Sequence, residues 1–191
     1  MTLRNELAKA LKDDVYDMTE EGLYFPRQGV IASGEYFDRV NGGAWEINSN
    51  LIVDEGLAHI LNVALGAAAK PASYHIALFS GSAAPAANWT AANFATVASE
   101  IVSMSEGYTS PTRPVWTPTD TNGNSIDNMG AVASLTIATS SQLNVTGAAL
   151  LTNSSRGGTT GKLISATKYT AARVFQDGDT YDVGYRLSLT V

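Results

Sequence analysis

Residues 181–191 alternate without a break. Tyr181, Val183, Tyr185, Leu187, Leu189 and Val191 are apolar, while Asp182, Gly184, Arg186, Ser188 and Thr190 are polar or small. Successive side chains of an extended chain point to opposite faces, so six matches at period two read as a strand with one face on a core. Residues 131–138 repeat the pattern, with Ala133, Leu135 and Ile137 on one face and Val132, Ser134 and Thr136 on the other. Further strand-like runs occupy residues 30–40 (bulged near Gly34), 44–47, 74–80, 143–152, 162–169 and 172–175. Asn41-Gly42-Gly43 and Asp177-Gly178-Asp179 supply tight turns. About eight short strands separated by turns predict a mainly β fold, a β-sandwich or jelly roll. No internal repeat is visible.

Two helical stretches interrupt the strand series. Residues 50–81 are the densest apolar block. Within it Leu57, Ile60, Leu61, Ala64 and Leu65 recur at three-and-four spacing, which predicts one helix packed on the core by that face. Asp54 and Glu55 suit the first turn, Gly66 ends the helix and Pro71 follows it. Residues 3–18 form a second amphipathic pattern, with Leu3, Leu7, Ala10, Leu11, Val15 and Met18 on one stripe. Two readings stand for it. The stripe packs on the chain's own core, or it is an arm docked on a neighbouring subunit, since so short a helix is marginal alone in water. The predicted organisation is a helical arm over residues 1–20 and a β domain over residues 21–191.

Residues 82–95 read as a long loop holding one helical turn at 90–94, with residues 93–102 continuing into a strand. The three prolines of residues 107–118 (GYTSPTRPVWTP) forbid helix and a central strand, leaving an extended edge or loop anchored by Tyr108 and Trp116. Residues 119–128 are a polar turn cluster, and residues 153–161 (NSSRGGTTG) are flexible by composition.

The chain of 191 residues contains no cysteine, two histidines and a net charge of −6 from 12 basic and 18 acidic side chains. Disulfides and thiolate metal sites are thereby excluded, and a basic nucleic-acid surface is not expected. No apolar segment approaches the ~20 residues of a membrane span. The charged N-terminal run predicts synthesis and retention in a cytoplasm.

Candidate chemistry fails on spacing. Glu55 and His59 share a helix face but lack a second histidine, and His75 lies in an apolar strand as a satisfied, half-buried imidazole. The string GGTTGK has Arg156 where a phosphate loop needs glycine, and Leu163 where it needs a hydroxyl. Asp120-Thr121-Asn122-Gly123-Asn124 places oxygen atoms as calcium loops do, but Ser125 and Ala131 stand where glycine and glutamate belong. Asn88, Asn144 and Asn153 begin sequons without a secretory context. No Gly-x-Ser-x-Gly elbow is present. Neither cofactor nor metal is predicted. Aromatic side chains either fill the core or face a partner, and the loop aromatics Trp89, Tyr108 and Trp116 are the candidates for a partner.

Three stretches together resemble a family of small tailed-bacteriophage virion proteins. They are NLIVDEGLAHILNVALG (residues 50–66), YHIALFSG with the downstream NWTAANF (residues 74–81 and 88–94), and EGYTSPTRPVWTP (residues 106–118). The closing strand fits as well. Members of that family are capsid cement or decoration proteins with a jelly-roll fold. The resemblance implies a non-enzymatic structural protein on the outer capsid surface, oligomeric as a dimer or trimer and bound to the major capsid protein. It carries over no functional residue. The expected contacts are the arm, through Leu3, Leu7, Leu11 and Val15, and the loop aromatics Trp89, Tyr108 and Trp116. A tail or fibre component binding glycans is the first alternative. A small β-sandwich hydrolase is the second, and it would need a carboxylate pocket.

Overall fold

The computed structural model describes residues 30–190 and, ahead of them, residues 16–18, 20 and 24–26. The chain divides into two compact units, Met1–Ile31 with Leu189–Val191, and Ala32–Ser188. In the first, strand β1 (Tyr16–Met18) pairs antiparallel with β2 (Tyr24–Pro26), Asp17 opposite Phe25. Helical periodicity predicts helix through Met18, but these three residues are extended, because cross-strand pairing overrides a marginal helical preference. The rest of the predicted arm, including Leu3, Leu7, Leu11 and Val15, lies outside the described residues.

The second unit is mainly β. Apart from Ile31, Leu189 and Thr190, which fall in the first unit, its strands are β3 (Ile31–Val40), β4 (Glu46–Ser49), β5 (Leu51–Ile52), β6 (Tyr74–Phe79), β7 (Gly107–Tyr108), β8 (Val115–Trp116), β9 (Ser125–Asp127), β10 (Ala133–Ala138), β11 (Leu143–Leu151), β12 (Leu163–Phe175) and β13 (Thr180–Thr190). Two helices, α1 (Asp54–Ala64) and α2 (Ala91–Val97), and a 3₁₀ turn at Met129–Ala131 complete it. One sheet runs β4-β3-β13-β10-β7, with β9 also on β13, and the other runs β5-β12-β11-β6-β8. The pairing is nested. β3 lies beside β13, β5 on β12, β6 on β11 and β7 on β10, as in one long hairpin folded over on itself. The β3–β4 hairpin turns through Asn41 and Gly42, both with positive φ, the conformation that suits a strand pair's twist.

The inner faces of the two sheets share one core, an arrangement consistent with a β-sandwich. Tyr36, Leu135, Tyr181 and Tyr185 come from the first sheet, Ile76, Leu78, Leu150 and Phe175 from the second. Polar groups cross this core in pairs. The Tyr181 hydroxyl donates to that of Tyr169 at 2.7 Å, and Arg173 on β12 meets Asp38 on β3 at 2.7 Å. The second sheet is also covered on its other face, where Ala77, Phe79, Ala149 and Leu151 pack with Trp89 and Phe94. Burial on both sides explains why β6 reads as an apolar run interrupted only by His75 while β10 alternates.

Three expectations are corrected here. Residues 93–102 do not become a strand: α2 runs on to Val97, its first residues held by Thr90 N donating to Asn93 Oδ1 at 2.9 Å. The two strand-like pieces at 162–175 are the single strand β12, opposite a register shift between Val145 and Gly147 of β11. The polar loop after β11 is pinned by arginines. Arg113 donates to Asn153 O, and Arg156 donates to Tyr108 O and Ser110 O.

Candidate functional site

Helix α1 has two apolar faces, and they meet different surroundings. Gly56 is its buried pivot. A Cβ there would land on the carbonyl oxygen of Ile164, so only glycine lets the helix backbone lie directly on β12. Glu55 fixes the same junction, its Oε2 accepting from Ala91 N at the start of α2 and from Leu163 N at the start of β12, both at 2.8 Å. With Gly56 turned inward, residues 59, 60 and 63 follow it at helical spacing. Ile60 packs against the inner core.

The leucines therefore point the other way. Leu57 is 40% exposed and Leu61 59%, and Leu65, the residue that caps the helix's C-terminus, is 85% exposed, so the three follow one another at i, i+4 and i+8 along the outside. This corrects the expectation that the leucine face packs on the core. The exposed apolar surface continues through Ala64 and residues 66–69. A row of three solvent-facing leucines is of the kind that marks a contact surface.

Beneath the inner face lies a cavity of about 440 Å³. It is bounded by α1, the connection from Lys70 to Tyr74, β8 with the residues that follow it, and parts of β9 and β13. Ile60, Val63, Leu150, Ile164 and Leu187 line it with aliphatic carbon. Tyr74, Trp116 and Tyr185 add aromatic walls, with Tyr74 and Trp116 edge to face at 6.0 Å. Trp116 Nε1 donates to Tyr185 O at 2.9 Å, which leaves its ring as apolar surface. Polar capacity is concentrated in one pair, His59 Nε2 and the Tyr74 hydroxyl, 3.0 Å apart. Burial, and secondarily the charge of Lys162, holds His59 below the ordinary imidazole value despite Glu55 nearby. Lys70 and Asp120 are the charged lining residues, and both are exposed.

The three aromatics expected to anchor a partner are spent inside the chain. Trp89, Tyr108 and Trp116 are 5%, 0% and 6% exposed. Trp89 packs edge-on against Phe79 and Phe94 under α2. Tyr108 lies beneath the Arg156 guanidinium, 3.7 Å from the ring centre, and burial pushes its phenol up to about 12. Proline-rich sequence kept residues 107–118 at an edge, as expected, but both aromatics turn inward from that edge because an indole or phenol ring gains most from the core.

The remaining polar clusters are structural ties. Arg113 and Glu100 form a fork of two bonds, 2.7 and 2.8 Å, with both side chains fully buried. His75 uses both ring nitrogens, Nε2 with Ser73 Oγ at 2.9 Å and Nδ1 with the backbone oxygen of Arg113 at 3.3 Å. A nucleophilic pair of this shape wants a carboxylate behind the imidazole, and here a peptide carbonyl occupies that place. The histidine is satisfied as expected from sequence, but at 7% exposure it is buried rather than half-buried. Among the described residues no three His, Asp or Glu side chains gather as a metal site, and no helix is long and apolar enough to cross a membrane. No known family model matches the chain, and no curated protein matches it.

Proposed function

We propose that this chain is a structural adhesion protein of a phage virion, binding the outer surface of the capsid and bridging major capsid protein subunits. The observation that carries the reading is the exposed leucine stripe of α1, Leu57, Leu61 and Leu65. Covering such side chains contributes up to roughly 1.5–3 kcal/mol each, the scale on which a modest protein interface is built. Repetition of that contact around a shell multiplies its effect without a new interaction. The nested strand pairing supports reading the two sheets as a jelly-roll-like sandwich, although β5·β12 and β6·β11 share one sheet where a rolled hairpin would place them in opposite sheets. The N-terminal stripe Leu3, Leu7, Leu11 and Val15 would supply a second contact, and assembly as a dimer or trimer belongs to the same proposal. Trp89 and Trp116 are too buried to stack on sugars, which disfavours the glycan-binding alternative.

The test is loading onto phage heads prepared without the protein. Leu57→Ser, Leu61→Ser and Leu65→Ser combined should fold normally and load at least about tenfold less well than wild type. Equal loading by the triple variant would refute α1 as the contact.

A further inference from the structure

We propose that the cavity between α1 and the sheets is a binding site for a small, neutral, aromatic molecule carrying one hydrogen-bonding group, seated against Tyr74 and Trp116 with its polar group on the His59–Tyr74 pair.

The pocket is half open to solvent, and its volume of about 440 Å³ is within the range of pockets that hold drug-sized ligands. The lining states what fits. Aliphatic side chains and three aromatic rings exclude a strongly hydrated ligand. The hydrogen-bonded pair of side chains formed by two lining residues is His59 Nε2 with Tyr74 Oη, partners that can each accept or donate a further bond. Burial disfavours the imidazolium, so this end of the pocket recognises a neutral group in preference to an anion. The exposed side chains of Lys70 and Asp120 are the lining's opposite charges and give no net preference for a charged ligand. The site is distinct from the leucine stripe, which lies on the opposite side of the same helix, and it does not depend on the adhesion reading.

The test uses the full chain and the fluorescent probe N-phenyl-1-naphthylamine, which is neutral, aromatic and carries one N–H. Saturable one-to-one enhancement of its emission is expected with wild type. Val63→Trp, which fills the cavity from α1, should weaken binding at least about tenfold without lowering Tm. Tyr74→Phe keeps the ring, removes the hydroxyl and should weaken binding about fivefold. Absence of saturable binding, or Val63→Trp binding as wild type does, would overturn the site. Unchanged affinity in Tyr74→Phe would overturn the assigned polar contact. Loss of binding in the Leu57/Leu61/Leu65 serine variant, with Val63→Trp unaffected, would place the probe on the outer stripe and likewise overturn the proposal.

Discussion

Arg113 shows how a single charged residue can hold three segments in place. Its guanidinium grips Glu100 with two bonds and donates to Asn153 O, and Glu100 in turn accepts from Gly157 N at 3.0 Å. Removing one member of a fully buried pair strands the other charge without water, at a cost of roughly 3–5 kcal/mol. Arg113→Ala is therefore expected to lower Tm by roughly 10 °C or more in a thermal melt. A shift of a degree or two would mean that water reaches Glu100. Little of this was legible in the sequence. Arg113 sits between two prolines, and the eye goes to Tyr108 and Trp116 on either side. Its partners are 13 and 40 residues away, and no local pattern encodes them. The same distance effect hid the fate of Trp89, Tyr108 and Trp116: their residue types announce a large apolar payload, but which surface receives it is decided by tertiary contacts. It also explains why the loop NSSRGG reads as flexible while two arginines and a carboxylate hold it.

At the scale of the element, β10 and β13 were the most legible parts, because one face of each is buried and a period of two has only one interpretation. Ala133, Leu135, Ile137, Tyr181, Val183 and Tyr185 are buried as the alternation requires, whereas further along β13 Leu187 is half-buried and Leu189 is exposed. Helix α1 was legible as a helix but not in its rotation. Both of its faces carry apolar residues, Leu57, Leu61 and Leu65 on one and Ile60 and Val63 on the other, so a count of apolar residues does not tell them apart. The signal that fixes the rotation is Gly56, an otherwise unfavourable residue inside a helix, which marks a close backbone approach. Gly56→Ala is expected to push α1 off β12, costing roughly 1–3 kcal/mol in denaturant unfolding. It should also disturb the cavity lined by Ile60 and Val63. A neutral effect would mean that α1 shifts freely along β12, and then the exposure of its leucines would lose its meaning. The cavity itself had no sequence signal, since its walls come from α1, β8, β9, β11, β12 and β13.

At the scale of the molecule, the two sheets spend their aromatic and aliphatic side chains on a shared inner core and on an outer cluster under α2. Several large apolar side chains stay exposed, Ile47, Val102 and Val174 among them, and the leucines of α1 form an uncharged row on a protein of net charge −6. Long-range attraction to an acidic partner is thus not available, and the proposed attachment would draw on burial of that row. Such a surface suits permanent seating on a repetitive protein shell better than turnover of a diffusing substrate. The strand order agrees in kind with a folded-over hairpin and leaves α1 outside both sheets, free to present its outer face. The most direct measurement is imaging of the assembled virion at side-chain resolution. The account predicts density for this chain on the head, with Leu57, Leu61 and Leu65 buried against a capsid subunit. Finding the chain elsewhere in the particle, absent from it, or seated with that leucine row facing solvent would contradict it.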